Sequence, residues 1–158
     1  MRIYAMTEKG EHSENEDRIL INGNIISDGF FEIESTEKTT ICVADGVGGN
    51  NAGAVASSFV CENLKNMSSV DKSGLETINT QLLGKSVEST NLKGMATTLS
   101  GICIDDTNAN IFHIGNTRIY VFQGSYIKQI TEDHIKIMYV VWQFVLQEIF
   151  LPCYRCKM

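Results

Sequence analysis

The chain has 158 residues, 43% of them hydrophobic and 20% charged, with a formal net charge of −6 at pH 7. That length fits one domain with a substantial core, and the acidic balance argues against nucleic acid or an anionic membrane surface as partner. The opening residues hold no apolar stretch of signal-peptide length, and five scattered cysteines do not make a disulfide framework, so a cytoplasmic protein is the default.

In chain order, Arg2 to Met6 and Arg18 to Ile26 read as strands, the second with Ile19, Ile21 and Ile25 on one face and a turn or bulge at Asn22-Gly23-Asn24. Thr39 to Ala44 contains the continuous apolar run Ile41-Cys42-Val43-Ala44, which fits a strand buried on both faces and stopping abruptly at Asp45-Gly46. After the glycines, Ala52, Val55, Ala56, Phe59, Val60 and Leu64 recur at helical spacing. Ser73 with Glu76 predicts a capping-box start for a second helix that buries Leu75, Ile78, Leu82 and Leu83. Cys42, Cys61 and Cys103 sit in apolar patterns and read as core thiols.

Further on, Leu99 to Ile104 is apolar and β-compatible. Ile111 to Ile114 and Arg118 to Phe122 flank Gly115-Asn116-Thr117, which predicts a tight hairpin, and Gln123-Gly124-Ser125 is another turn before Tyr126 to Ile130. Strands, two helices and then antiparallel strands predict an α+β layered fold with helices outside a β core. From Ile135 the character changes. The densely apolar stretch from Ile135 to Leu146 is shorter than the roughly 20 apolar residues of a membrane span, and it reads as a packed amphipathic helix. The Cys153-x-x-Cys156 pair beyond it has no partners in sequence and reads as incidental.

Two acidic motifs carry the chemistry: Asn15-Glu16-Asp17-Arg18 and Val43-Ala44-Asp45-Gly46-Val47-Gly48-Gly49. Carboxylates at strand ends, without a His or Cys cluster, suit Mg²⁺ or Mn²⁺ better than zinc. The glycine after Asp45 lets a backbone carbonyl approach a cation. Convergence of Glu16, Asp17 and Asp45 would concentrate negative charge that divalent cations offset, and paired cations can activate water and clamp phosphoryl oxygens. Taken singly, each motif also fits a solvent-facing cap or an ordinary turn; together they favour a site.

These residues resemble the metal-dependent serine/threonine protein phosphatases of the PPM, or protein phosphatase 2C-like, group in its bacterial form. The resemblance rests on Gly10 with Asn15-Glu16-Asp17-Arg18, the Asp45-Gly46 motif, Gly94-Met95-Ala96-Thr97-Thr98-Leu99, His113-Ile114-Gly115-Asn116-Thr117-Arg118-Ile119-Tyr120 and Ile130-Thr131-Glu132-Asp133-His134, in the family's order. It implies a four-layer α-β-β-α sandwich with two Mn²⁺ or Mg²⁺ ions at one end of the β core. By that resemblance Asp45 bridges both ions, Gly46 lends its carbonyl, Glu16 holds the second ion, and Asp17, also counted among the metal residues, positions the attacking water. His12 stands where the family has a phosphate-binding arginine. It is open to a weaker phosphate contact, to proton donation, or to no role. Val47 replaces a histidine found in animal members, Asn116 stands where many members have an aspartate near a third metal, and Asp133-His134 takes a structural turn role.

The family continues to two further metal-binding aspartates, whereas after His134 this chain has no aspartate and Glu148 is its only acid. The expectation is therefore the N-terminal part of a phosphatase domain over 1–134, sandwich incomplete at the C-terminal end, and an atypical tail over 135–158 from truncation or a shifted reading frame. The implied partner is a phosphoprotein, opposed by a cognate serine/threonine kinase, with no nucleic acid or membrane. The alternatives are an inactive fragment or pseudophosphatase acting as a binding module, and a chain completed by a second polypeptide.

Overall fold

A computed structural model describes residues 1–35, 38–49 and 52–134 of the chain. The strands are β1 (Arg2–Thr7), β2 (Asp17–Ile21), β3 (Asn24–Ile26), β4 (Gly29–Glu34) and β5 (Thr39–Val47), followed by helices α1 (Ala52–Leu64) and α2 (Lys72–Ser86). Strands β6 (Ala96–Thr97), β7 (Leu99–Ile104), β8 (Ala109–Ile114), β9 (Tyr120–Gln123) and β10 (Tyr126–Gln129) complete the described order. The main antiparallel sheet runs β3-β2-β5-β7-β8, with β6 added beside the end of β5; β1-β4 and β9-β10 are separate two-stranded ribbons.

The strand period of two divides this sheet between two cores. Leu20, Cys42 and Ala44 face α1 and α2, where they join Ala56, Val60, Leu64, Leu75, Ile78 and Phe112. Ile19, Ile21 and Ile26 face the other way and pack against Ile3 of β1, with Ile33, Ile41 and Val43 around them. Ile21 and Leu20, 0% and 1% exposed, each contribute about 1.5–3 kcal/mol of transfer free energy in these two interfaces. Helix, sheet and ribbon thus supply three layers of an α-β-β stack among the described residues.

Several predicted elements shift. The 18–26 strand is a hairpin: Ile21 pairs with Asn24 across Asn22 and Gly23, both at positive φ. β5 does not stop at Asp45. It runs on to Val47 because Asp45 pairs with Asp17 on one side, while Gly46 and Val47 pair with Thr97 and Ala96 on the other. α2 starts earlier than Ser73, capped by Asp71, whose carboxylate accepts from Gly74 N at 2.8 Å. Leu83 is 50% exposed, off the buried stripe that Leu75, Ile78 and Leu82 form.

Residues 115–117 are not a hairpin turn, since β8 pairs with β7 and β9 with β10. Instead the segment folds back over β7: Ser100 Oγ donates to Thr117 O at 3.0 Å, and Thr98 and Thr117 hydroxyls bond to each other. Arg118 then grips Asp133 with Nε and Nη2 at 2.6–3.1 Å, and His134 N donates to Gly115 O at 2.7 Å. The amphipathic helix and cysteine pair predicted beyond Ile135 lie outside the described residues. No helix among the described residues is long and apolar enough to cross a membrane.

Candidate metal centre

The site begins with one register. β2 and β5 run antiparallel with Asp17 directly opposite Asp45. Directly opposed side chains on such strands have Cβ atoms about 4.5–5.5 Å apart, and like charges there destabilise the pair. Burial first, and then the charge and hydrogen bonding of Asp45, raise the Asp17 carboxyl above its ordinary value. This is the electrostatic condition a bound cation relieves.

Each acid is held from behind. The nearly buried Asn15 donates to Thr7 Oγ1 at 2.8 Å and to Ser27 O at 2.9 Å, and its own oxygen accepts from Asp17 N at 3.0 Å. One amide side chain therefore ties β1, the 27–28 corner and the start of β2. Arg18 Nη1 donates to the carbonyls of Asn15 and Asp17, both at 2.7 Å, and its Nε donates to Ser58 on α1 at 2.9 Å. Arg18 is a brace for the acidic segment. On the other strand, Asp45 N donates to Thr98 Oγ1 at 3.1 Å, while Asp45 O accepts from Thr98 N at 2.9 Å and Thr97 Oγ1 at 3.0 Å.

Gly46 and Gly53 bring the start of α1 against this strand end. A Cβ on Gly46 would lie 2.1 Å from Gly53 O, and one on Gly53 would lie 2.7 Å from the Glu16 carboxylate and from the Gly46 carbonyl carbon. Neither position accepts a side chain without backbone movement. The Glu16 carboxylate thus rests on the first turn of α1, where the helix dipole favours negative charge. Ser57 Oγ donates to Glu16 O at 2.5 Å and fixes the same junction.

Glu16, Asp17, Asp45 and Gly46 all line one cleft of about 360 Å³, and His12 lies on its wall. Every expected site residue therefore borders the same space. Among the described residues, no group of three His, Cys, Asp or Glu side chains is drawn together tightly enough to form a closed metal cage. The convergent core is the Asp17–Asp45 pair, with Glu16 offset onto Gly53. The donor set is oxygen only, acidic and crowded, which fits a hard divalent cation and not zinc. Val47 is 52% exposed, and Asn116 is exposed and does not border the cleft.

Residues that the sequence reading gave no role in the site also matter. Thr97 and Thr98 clamp the Asp45 backbone, Gly53 seats Glu16, and Lys9 lines the cleft beside His12. Gly53 had no readable signal, because its need arises from contact with residues 46 and 16. A separate apolar void of about 70 Å³ lies between the helices and the sheet, lined by Val60, Ile78 and Leu99 among others, and is a packing feature of the core.

Residues 18–140 match the family described as protein phosphatase 2C. The chain is 32% identical over 147 residues to protein phosphatase PhpP of Streptococcus pneumoniae, covering 85% of this chain and 55% of that protein. The crystal structure of serine/threonine phosphatase Stp1 from Staphylococcus aureus matches with a TM-score of 0.66 at 27% identity, over 84% of this chain and 53% of that one. The catalytic domain of serine/threonine protein phosphatase PstP, crystallised with two manganese ions, matches with a TM-score of 0.65 at 23% identity, over 84% of this chain and 55% of that one, a likeness of fold alone. The chain spans about half the length of the curated relatives it matches.

Proposed function

This chain belongs to the protein phosphatase 2C family, and we propose that it serves the hydrolysis of phosphoserine and phosphothreonine in proteins. The observation that carries the reading is the placement of Asp17 opposite Asp45 at one cleft shared with Glu16 and Gly46. Asp45, the Gly46 carbonyl and Glu16 are the groups that would hold two Mn²⁺ or Mg²⁺ ions. When bound, such ions supply water activation and neutralisation of phosphoryl oxygens.

The chain's own part is positional. Asp17 orients the attacking water from a backbone whose N–H is held by Asn15 and whose carbonyl is held by Arg18. Asp45 is aimed by the Thr97–Thr98 clamp, so little reorganisation is needed at the reacting centre. His12, on the cleft wall, contacts the phosphate or gives a proton to the leaving serine or threonine oxygen. The substrate is a phosphoprotein, the opposing enzyme a serine/threonine kinase, and the compartment the cytoplasm. Residues 1–134 carry the phosphatase-type unit, and 135–158 are atypical of it in sequence.

One observation favours a second reading. The described residues hold two directly opposed carboxylates and no third His, Cys, Asp or Glu side chain drawn in tightly enough to close a cage. A chain that binds a partner without hydrolysis, or one completed by another polypeptide, fits that arrangement. Hydrolysis of a small aryl phosphate separates the readings. Stimulation by Mn²⁺ that disappears in Asp45→Ala supports the phosphatase; no turnover at any metal concentration supports the binding module.

A further inference from the structure

We propose that Lys9, on the turn that ends at His12, is a further phosphate-contacting residue of this cleft; the inference rests on the phosphatase reading above. The cleft is lined by the carboxylates of Glu8, Glu14, Glu16, Asp17 and Asp45, against which Lys9 and His12 are the two basic side chains. A phosphomonoester dianion entering such a space meets repulsion on nearly every wall. Cations bound at the floor would neutralise the carboxylates there, but Glu8 and Glu14 are not among the proposed ligands. A cationic element near them is what admits the anion.

The backbone places both basic groups together. His12 N donates to Lys9 O at 3.1 Å, closing a four-residue turn whose second residue, Gly10, has φ +58°. A positive φ at that place calls for glycine, and the ends of such a turn have Cα atoms within about 7 Å of each other. Lys9 and His12 therefore leave neighbouring points of the chain and line the same wall. Neither forms an ion pair with an acid among the described residues, so both side chains are available to a ligand. The lysine ammonium is a compact point charge with three donors, suited to a phosphate whose orientation other groups fix.

The test is calorimetric titration of inorganic phosphate into the Mg²⁺-saturated chain, with Mg²⁺ affinity measured on the same samples. Lys9→Ala is expected to weaken phosphate binding about tenfold, the size of one lost charge-assisted contact, with Mg²⁺ affinity unchanged. Lys9→Arg restores binding to within about threefold, because charge and reach are kept. With an aryl phosphate substrate the Lys9→Ala effect falls on KM more than on kcat. Unchanged phosphate affinity in Lys9→Ala overturns the proposal, as does an equal loss in Lys9→Arg. The two readings fail separately: absent Mg²⁺ binding in the unsubstituted chain removes the metal centre, while intact Mg²⁺ binding with unaltered phosphate affinity in Lys9→Ala removes only the Lys9 contact.

Discussion

Replacing Gly53 by alanine pits local helix propensity against one tertiary contact, and the two predict opposite signs. Gly53 lies in the first turn of α1, and alanine is favoured over glycine in a helix interior by about 0.8–1.0 kcal/mol. On propensity alone the variant is more stable. The added Cβ, however, would sit 2.7 Å from the Glu16 carboxylate and 2.7 Å from the Gly46 carbonyl carbon. The carboxylate can swing aside; the backbone of β5 cannot, because Gly46 is paired with Thr97 and packed under the helix. Overpacking of this kind costs about 1–3 kcal/mol, and a backbone neighbour places it toward the upper end. The net expectation is a loss of about 1–2 kcal/mol. In a chain of this length that is roughly 2–8 °C in Tm at about 2–4 °C per kcal/mol. Thermal unfolding followed by circular dichroism reads the shift, and Mn²⁺ titration reads the displaced Glu16 as weaker binding. A Gly53→Ala variant that melts at or above the unsubstituted chain refutes the reasoning.

Two further outcomes follow from the same geometry. Thr98→Val removes the hydroxyl that accepts from Asp45 N and bonds Thr117, leaving a half-buried N–H without its partner. It should cost about 1–3 kcal/mol in urea unfolding, with an unchanged m-value. His113 bonds through its ring nitrogens to Ser100 Oγ and Glu132 O, with the His134 ring 4.9 Å away and Asp133, paired to Arg118, close by. Burial is the chief cause lowering its pKa below the ordinary value of 6.5. Below pH 6.5 the unfolded chain therefore takes up a proton that the folded chain refuses, and stability falls with pH until the lowered folded value is reached. In His113→Gln the pH dependence of unfolding across that window should flatten; an unaltered slope contradicts the assignment.

Much of the architecture was legible because the alternation of Ile19 and Ile21 and the continuous apolar run Ile41-Cys42-Val43-Ala44 are strong signals and the α1 stripe is long. What escaped was set by contacts distant in sequence. Asp45-Gly46-Val47-Gly48-Gly49 looks like a turn, yet β2 and β6 hold it extended through Val47. β4 shows little inward alternation, since most of its residues are exposed, and β6 has only two residues, too few for any period. Ser73 reads as the cap of α2, whereas the cap in the fold is the carboxylate of Asp71, which accepts from Gly74 N. For the site, the motifs named the acids, but the direct opposition of Asp17 and Asp45 depends on the Asn22-Gly23 hairpin and on the residues that bring β5 back. No local pattern encodes that register.

The account stands on those opposed carboxylates being a seat for hard divalent cations. Calorimetric titration of Mn²⁺ into the unsubstituted chain and Asp45→Asn tests this most directly, independent of turnover. Saturable binding to the unsubstituted chain, at least tenfold weaker after the substitution, is the predicted result; equal binding by both proteins, or none by either, contradicts it.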